Sequence, residues 1–165
     1  MGSAKDRGDT AALNKWGDKW LAELDATAPA NDDERSALDI ARVDAASLLE
    51  TPLRVLPALI ASEKAMPNNY NASLRVAQME SDAKRYSDAI AACDRGLLHV
   101  TGPIGRAWLM QVKAEALQQM GDKKQARQVL QDALPVAEEI GPKQMRKNTI
   151  KRLSDALKAP DAGAS

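Results

Sequence analysis

Cys93 and His99 are the only cysteine and the only histidine in this chain of 165 residues, and both belong to types that carry out chemistry. A thiol beside an imidazole can act as a nucleophile, and the same two groups can bind zinc. A separation of six residues places the two side chains on different sides of a helix, and no further metal ligands cluster near them in the sequence. Cys93 also lies between small residues at helical spacing, so we expect a buried thiol. We predict neither a catalytic residue nor a metal site here.

Two pairs of adjacent carboxylates offer a second kind of chemistry, at Asp32 with Asp33 and at Glu138 with Glu139. Adjacent residues on a helix do not face each other, so neither pair predicts a general acid with its base. The glycine-containing stretches "GDKK" and "TGPIGR" lack the lysine-serine ending and the preceding strand of a phosphate-binding loop. We therefore predict a protein that is not an enzyme and has no cofactor.

A strip of basic residues on the last predicted helix is the third candidate, and it consists of Arg146, Lys147, Lys151 and Arg152. Such a strip can bind an acidic peptide, a nucleic-acid backbone or a lipid surface. The alternative, which we favour, is the solvated face of an end helix, because Ile150, Leu153 and Leu157 direct its other face inward. The formal net charge is zero, from 23 basic and 23 acidic residues, so we expect neither nucleic acid nor membrane as a partner.

Helices must position all of these side chains. Aromatic residues make up 3% of the chain and phenylalanine is absent, so alanine and leucine must fill the core, and both are strong helix formers. Apolar spacing, capping residues and breaks predict an all-α fold of eight helices, over residues 10–27, 32–50, 52–65, 70–83, 86–98, 104–120, 121–140 and 144–158. Pro57 should disturb the third of them. Trp16 and Trp20 share one helix face, where we expect core residues, or an anchor for another protein if they are exposed.

An internal repeat underlies the small residues of these helices. Residues 86–97, "YSDAIAACDRGL", align with residues 123–134, "KKQARQVLQDAL", at an offset of 37. The alignment pairs small, larger and small residues at intervals of four and three: Ala89 with Ala126, Cys93 with Leu130, and Gly96 with Ala133. A helix face of this kind lets a neighbour pack closely. The alternative is that these alanines are helix formers on an ordinary bundle face, and periodicity alone does not separate the two.

With these residues in place, the chain resembles the tetratricopeptide repeat family, whose units are helix pairs of about 34 residues. One unit is marked by Ala114, the Gly121-Asp122 turn, Ala126, Leu130 and Ala133. An earlier unit is marked by Ala77, Ala89, Cys93 and Gly96, and it has Lys84, Arg85 and Tyr86 in place of the Gly-Asp turn. Pro67 ends a degenerate first unit. Trp108 lies out of register with the family's tryptophan. The resemblance implies a superhelix of stacked antiparallel hairpins, with units at about 36–69, 70–106 and 107–141 and capping helices at both ends.

The resulting organisation is one helical domain over residues 10–158, including the capping helix 144–158. We expect residues 1–9 to be disordered or vector-derived and residues 159–165 to form a flexible tail. The sequence shows no signal segment and no apolar run long enough for a membrane span, so a cytoplasmic location is the default.

The function implied by the resemblance is protein interaction, with a peptide or protein segment lying in a concave groove lined by the first helix of each hairpin. By this register the groove candidates are Asn71, Leu74, Gln78 and Asp82 from one unit, and Trp108, Gln111, Glu115 and Gln119 from the next. The identity of the protein or peptide partner stays open, and homo-oligomers are a further option. The alternative function is an accessory or oligomerisation domain excised from a larger enzyme or multidomain protein.

Overall fold

The computed structural model of the protein describes residues 10–158, and all the regular elements in this range are α-helices. They are α1 (Thr10–Ala26), α2 (Asp32–Leu49), α3 (Pro52–Ala65), α4 (Tyr70–Asp82), α5 (Tyr86–His99), α6 (Pro103–Gln119), α7 (Lys123–Glu138) and α8 (Lys143–Lys158). The predicted all-α class and each predicted helix are confirmed, with ends that differ by one or two residues. The predicted N-terminal segment 1–9 and tail 159–165 lie outside the described residues.

The helix starts follow the capping residues that the sequence offers. Asn31 precedes α2, and its side-chain oxygen accepts a hydrogen bond of 2.9 Å from the Glu34 backbone N–H. Asp122 precedes α7 and accepts one of 3.0 Å from the Gln125 N–H. Thr51 precedes α3 and makes no side-chain capping hydrogen bond, and Pro52 at the first helical position has no N–H that needs a partner. These residues fix where three of the helices begin.

Pro57 lies inside α3, and the helix continues past it to Ala65. A proline at this position removes one hydrogen bond, the one that the carbonyl of Leu53 would accept. Leu53 is 60% exposed, so water can reach this part of the helix. Water can therefore donate a hydrogen bond to the Leu53 carbonyl in place of the missing N–H.

Each helix packs against the next one along the chain, from α1 to α8. Short connections between such neighbours make them antiparallel. In addition, α2 contacts α4, and α4 contacts α6. The alternate helices α2, α4 and α6 therefore lie side by side and share one face of the molecule.

The small residues of the repeat are buried. Ala77, Ala89, Ala114, Ala126 and Ala133 are each 0% exposed, as is Cys93, and Gly96 is buried. A Cβ atom placed on Gly96 would lie 2.8 Å from Leu109 Cδ2 and 3.2 Å from Ser73 Cβ. Helices α4 and α6 thus approach α5 so closely at this point that a larger residue would displace the Leu109 side chain.

A buried cluster of polar side chains in the first half of the chain connects α1, α2 and α3. Asp39 of α2 is 1% exposed, and its Oδ1 accepts hydrogen bonds from Arg42 Nη1 at 3.1 Å and from Ser62 Oγ of α3 at 3.0 Å. Arg42 Nη2 donates to the Leu24 carbonyl at the end of α1, at 2.8 Å. On α4, burial lowers the pKa of Arg75, and the charge of Asp39 opposes that shift. Hydrogen bonds of this buried ion pair therefore connect α2 with α1 and with α3.

The expectation that Trp16 and Trp20 are core residues is wrong for Trp16, which is 53% exposed. The two rings contact each other at an interplanar angle of 41°, with centroids 5.1 Å apart, and Trp20 is half-buried. The cause is the position of α1 at the end of the row, where α2 covers only one side of it. Separately, none of the described helices is both long and apolar enough to cross a membrane.

Candidate functional site

A cavity of about 470 Å³ opens on the face that the alternate helices share, and we call it the central cavity. Four helices line it: α2 through Val43 and Ser47, α4 through Gln78, Met79, Ser81 and Asp82, α6 through Trp108, Gln111, Val112 and Glu115, and α8 through Arg152. Side chains on one helix face recur every three or four residues, as Gln78 and Asp82 do on α4. Contacts between α2 and α4 and between α4 and α6 then bring these faces together.

The apolar part of the central cavity is formed by an aromatic ring and three aliphatic or thioether side chains. Met79 is 1% exposed, and Val43 and Val112 are half-buried. Trp108 is 37% exposed, so much of its indole ring is available to a ligand. Concave sites with an apolar lining and a few polar groups are typical of ligand-binding sites in proteins.

Two carboxylates give the central cavity its acidic character. Asp82 is the last residue of α4, and burial raises the pKa of its carboxyl above the ordinary value. Within residues 10–158, Asp82 makes no ion pair and no side-chain hydrogen bond. Glu115 of α6 accepts a hydrogen bond of 2.7 Å from Gln111 Nε2, which is a neutral donor. Neither carboxylate is therefore neutralised by a described side chain.

Arg152 connects the central cavity with a second one. This second cavity, of about 460 Å³, lies between α6 and α8 and is lined by Trp108, Pro142, Gln144, Met145, Asn148, Thr149 and Arg152. Trp108 and Arg152 line both cavities. The concave surface therefore extends from α2 to α8, with the indole ring at its middle.

Five of the eight predicted groove residues line the central cavity: Gln78, Asp82, Trp108, Gln111 and Glu115. The other three do not line it. Asn71 is half-buried in the first turn of α4, where its backbone N–H donates to Asn69 Oδ1 at 3.1 Å. Leu74 is 5% exposed and belongs to the apolar core, and Gln119 is exposed at the last residue of α6.

The predicted basic strip is divided among different surroundings. Arg146 is half-buried, and its Nη1 donates to the Ile140 carbonyl at 3.3 Å, beside the end of α7. Lys147 is exposed, and Lys151 forms an ion pair with Asp155. Only Arg152 turns to the central cavity. The position of Arg152 beside α6 depends on how α8 packs, and the sequence of α8 alone does not reveal it.

Cys93 and His99 are not brought together with other chemically active groups. Burial raises the pKa of the Cys93 thiol to about 12, so the thiolate does not form at neutral pH. His99 is exposed at the end of α5. Within the described part of the chain, no three His, Cys, Asp or Glu side chains are arranged to hold a metal ion.

Comparison of the chain with protein-family models, with curated proteins and with solved structures gives no match.

Proposed function

We propose that this chain is a non-catalytic protein interaction module that binds a peptide, or a segment of a partner protein, in the central cavity. The observation that carries the proposal is that four helices, α2, α4, α6 and α8, line one concave surface with an accessible indole ring at its middle. A stack of hairpins produces such a surface along its alternate helices.

Gln78 and Gln111 support a peptide as the ligand. Each carboxamide can donate and accept hydrogen bonds, as a peptide backbone does. Gln78 is exposed and its carboxamide makes no hydrogen bond within residues 10–158, and the Gln111 carboxamide uses one donor on Glu115. An extended segment could therefore exchange hydrogen bonds with two neighbouring helices while its side chains pack on Trp108.

The turns that end α4 and α6 support a tetratricopeptide-like stack as the architecture. The Arg85 N–H donates to the Glu80 carbonyl at 2.8 Å, and the Asp122 N–H donates to the Leu117 carbonyl at 3.0 Å. These pairs correspond at the offset of 37 residues. We infer that α4 with α5 and α6 with α7 are two successive units, that α2 with α3 is a degenerate one, and that α1 and α8 cap the ends.

Selection from a random linear peptide library displayed on phage tests the proposed function. We expect selected peptides to lose at least about tenfold in affinity for Trp108→Ala, because truncating a central aromatic anchor of an interface costs about 2 kcal/mol or more. Leu98→Ala is the matched control, since Leu98 is 80% exposed on α5 and does not line the cavity. Circular dichroism verifies that both variants fold. If no selected peptide depends on Trp108, the proposal is wrong.

A second candidate function is self-association through α1, and the exposure of Trp16 favours it. An exposed aromatic ring on an end helix can anchor a second copy or another domain of a longer protein. Light scattering would then report a dimer that Trp16→Ala converts to a monomer. A monomeric wild-type chain at high concentration would exclude the homodimer.

A further inference from the structure

The two acidic residues of the central cavity, Asp82 and Glu115, have no basic partner among the described residues. The acids of α3 and α5, by contrast, are paired: Glu63 binds Arg95 at 2.9 Å, Asp94 binds Lys113 at 2.5 Å, and Asp88 binds Arg85 at 2.8 Å. In the cavity, Asp82 has no ion pair among the described residues, and the only described donor to Glu115 is the neutral Gln111. The cavity thus offers two unneutralised carboxylates to a ligand.

The helix ends around these carboxylates add negative potential. The cavity is lined by the C-terminal half of α2, through Val43 and Ser47, and by the C-terminal half of α4, through Gln78 to Asp82. The C-terminal end of a helix carries a partial negative charge from its unsatisfied carbonyls. Asp82 lies at the very end of α4, so the carboxylate and the helix dipole act in the same direction.

The single basic residue of the lining does not cancel this field. Arg152 comes from α8, whereas both carboxylates come from α4 and α6, and Arg152 also lines the second cavity. No ion pair joins Arg152 to Asp82 or Glu115 among the described residues. The acidic and basic groups therefore stay available to different parts of one ligand.

Trp108 and its apolar neighbours favour a long cationic side chain over a small cation. The face of an indole ring attracts a guanidinium or ammonium group, and the aliphatic stem of lysine or arginine can pack along apolar surface. Val43 and Val112, which are half-buried, supply that surface within the same cavity. Asp82 and Glu115 are both exposed at the cavity surface, where a cationic group can reach them.

From this charge complementarity we infer that the central cavity binds a peptide segment that carries a lysine or an arginine, with the cationic group at Asp82 and Glu115 and the aliphatic stem on Trp108. Arg152 then faces backbone carbonyls or an acidic residue of the same segment. The inference rests on the proposed function, because it specifies the chemistry of the ligand for the same cavity.

The test uses the random peptide library on the wild-type chain and on the double variant Asp82→Asn/Glu115→Gln, which preserves side-chain size. Peptides selected on the wild type should be enriched in lysine or arginine over the unselected library, and this enrichment should disappear with the double variant. Asp132→Asn/Glu138→Gln is the control with the same charge change, on exposed positions of α7 outside the cavity. It should select the same peptides as the wild type.

One selected peptide then gives a quantitative measurement by calorimetry. Replacing its basic residue with norleucine should weaken binding to the wild type by about tenfold or more, since it removes the charged group that pairs with Asp82 and Glu115. The same replacement should change binding to Asp82→Asn/Glu115→Gln by less than about threefold.

The outcomes separate the inference from the proposed function. Peptides that require Trp108 but show no basic preference, or that keep the preference in the double variant, would overturn the inference and leave the groove intact. A library in which no peptide requires Trp108 would overturn both.

Discussion

Lys84 and Gly121 have the same left-handed backbone conformation at the same place in two successive hairpins. Their φ angles are 60° and 86°, in the turns that follow α4 and α6. Each N–H donates to the carbonyl three residues earlier, from Lys84 to Ser81 at 2.9 Å and from Gly121 to Gln118 at 3.0 Å. Glycine adopts this conformation without steric cost, whereas the Cβ of lysine comes too close to the backbone. One turn is therefore relaxed and the other strained.

We predict that Lys84→Gly raises the free energy of unfolding by about 0.5–1 kcal/mol, because it removes this strain at the cost of some chain entropy. The reverse change, Gly121→Ala, should lower it by about 1 kcal/mol or more. Urea denaturation followed by circular dichroism measures both. Lys147→Gly, at an exposed position inside α8, should instead destabilise the protein by about 1 kcal/mol. Equal signs for Lys84→Gly and Lys147→Gly would contradict the assignment of strain.

Gly96 lies where α5 and α6 are in close contact, and a larger residue there should destabilise the protein. Gly96→Ala places a Cβ 2.8 Å from Leu109 Cδ2, and we expect a loss of about 1–3 kcal/mol in the free energy of unfolding, as for other overpacked sites. Gly141→Ala is the control, since nothing lies within 4 Å of the added methyl group. Combining Gly96→Ala with Leu109→Ala should cost less than the sum of the two single changes. Strict additivity would show that the two residues do not meet.

The helix boundaries could be predicted because local residues determine them. Asn31 caps α2 and Asp122 caps α7 through hydrogen bonds to backbone groups three residues away, and Pro52 starts α3. The buried face of α2 was less predictable. Its apolar spacing predicts Leu38, Ala45 and Leu48 on the inner face, yet Leu48 is 39% exposed, and Asp39 and Arg42 are buried. The partners that make this burial favourable come from α1 and α3, so the sequence of α2 alone does not reveal them.

The candidate site was predictable on two helices and not on the other two. Trp108, Gln111 and Glu115 follow the spacing of one helix face, as do Gln78 and Asp82, and they line the cavity as a set. The same spacing predicts Leu74 on this face, one turn before Gln78. However, α4 packs against α2, α3, α5 and α6, so a side chain displaced slightly around the helix from Gln78 lies in the core, as Leu74 does. Val43 and Arg152 reach the cavity only through packing between helices that are far apart in the sequence.

Asp39 should be essential to the stability of the first three helices. Asp39→Ala leaves Arg42, which is 7% exposed, without its buried counter-ion, and we expect a loss of about 3 kcal/mol or more in the free energy of unfolding. Asp44→Ala, at an exposed position on the same helix, should change stability by less than about 0.5 kcal/mol. Adding Arg42→Met to Asp39→Ala should recover part of the loss, since it removes the buried guanidinium that Asp39→Ala leaves without its counter-ion. Further destabilisation by Arg42→Met would argue against the ion pair.

The Cys93 thiol should resist modification in the folded protein. Because the thiol is 0% exposed and burial raises its pKa to about 12, labelling with Ellman's reagent at neutral pH should proceed only when the helices open. In concentrated guanidinium chloride the same thiol should react at the rate of a free cysteine. Rapid labelling of the folded chain would contradict the packing of α5.

The same thiol makes stability depend on pH in the alkaline range. In the unfolded chain Cys93 ionises near its ordinary pKa of 9.0, whereas in the folded protein it stays neutral up to about 12. Between these values the unfolded state binds fewer protons than the folded state, so the free energy of unfolding decreases as the pH rises. Denaturation of Cys93→Ala over the same range should show a shallower decrease. Identical slopes would mean that the folded thiol ionises normally.

Protonation of Asp82 should weaken the binding of basic peptides. Burial raises the pKa of this carboxyl above its ordinary value of 3.8, and only the ionised form attracts a cation. Affinity for a selected lysine or arginine peptide should therefore fall as the pH is lowered through the pKa of Asp82, and Asp82→Asn should flatten that part of the profile. By linkage, a saturating peptide must lower the pKa of Asp82, which the NMR titration of its carboxyl carbon reports with and without the peptide. Glu115 and Arg152 line the same cavity, so Glu115→Gln and Arg152→Gln are measured in parallel to separate their charges from that of Asp82. A pKa of Asp82 that stays the same or rises in the complex would place the cation elsewhere.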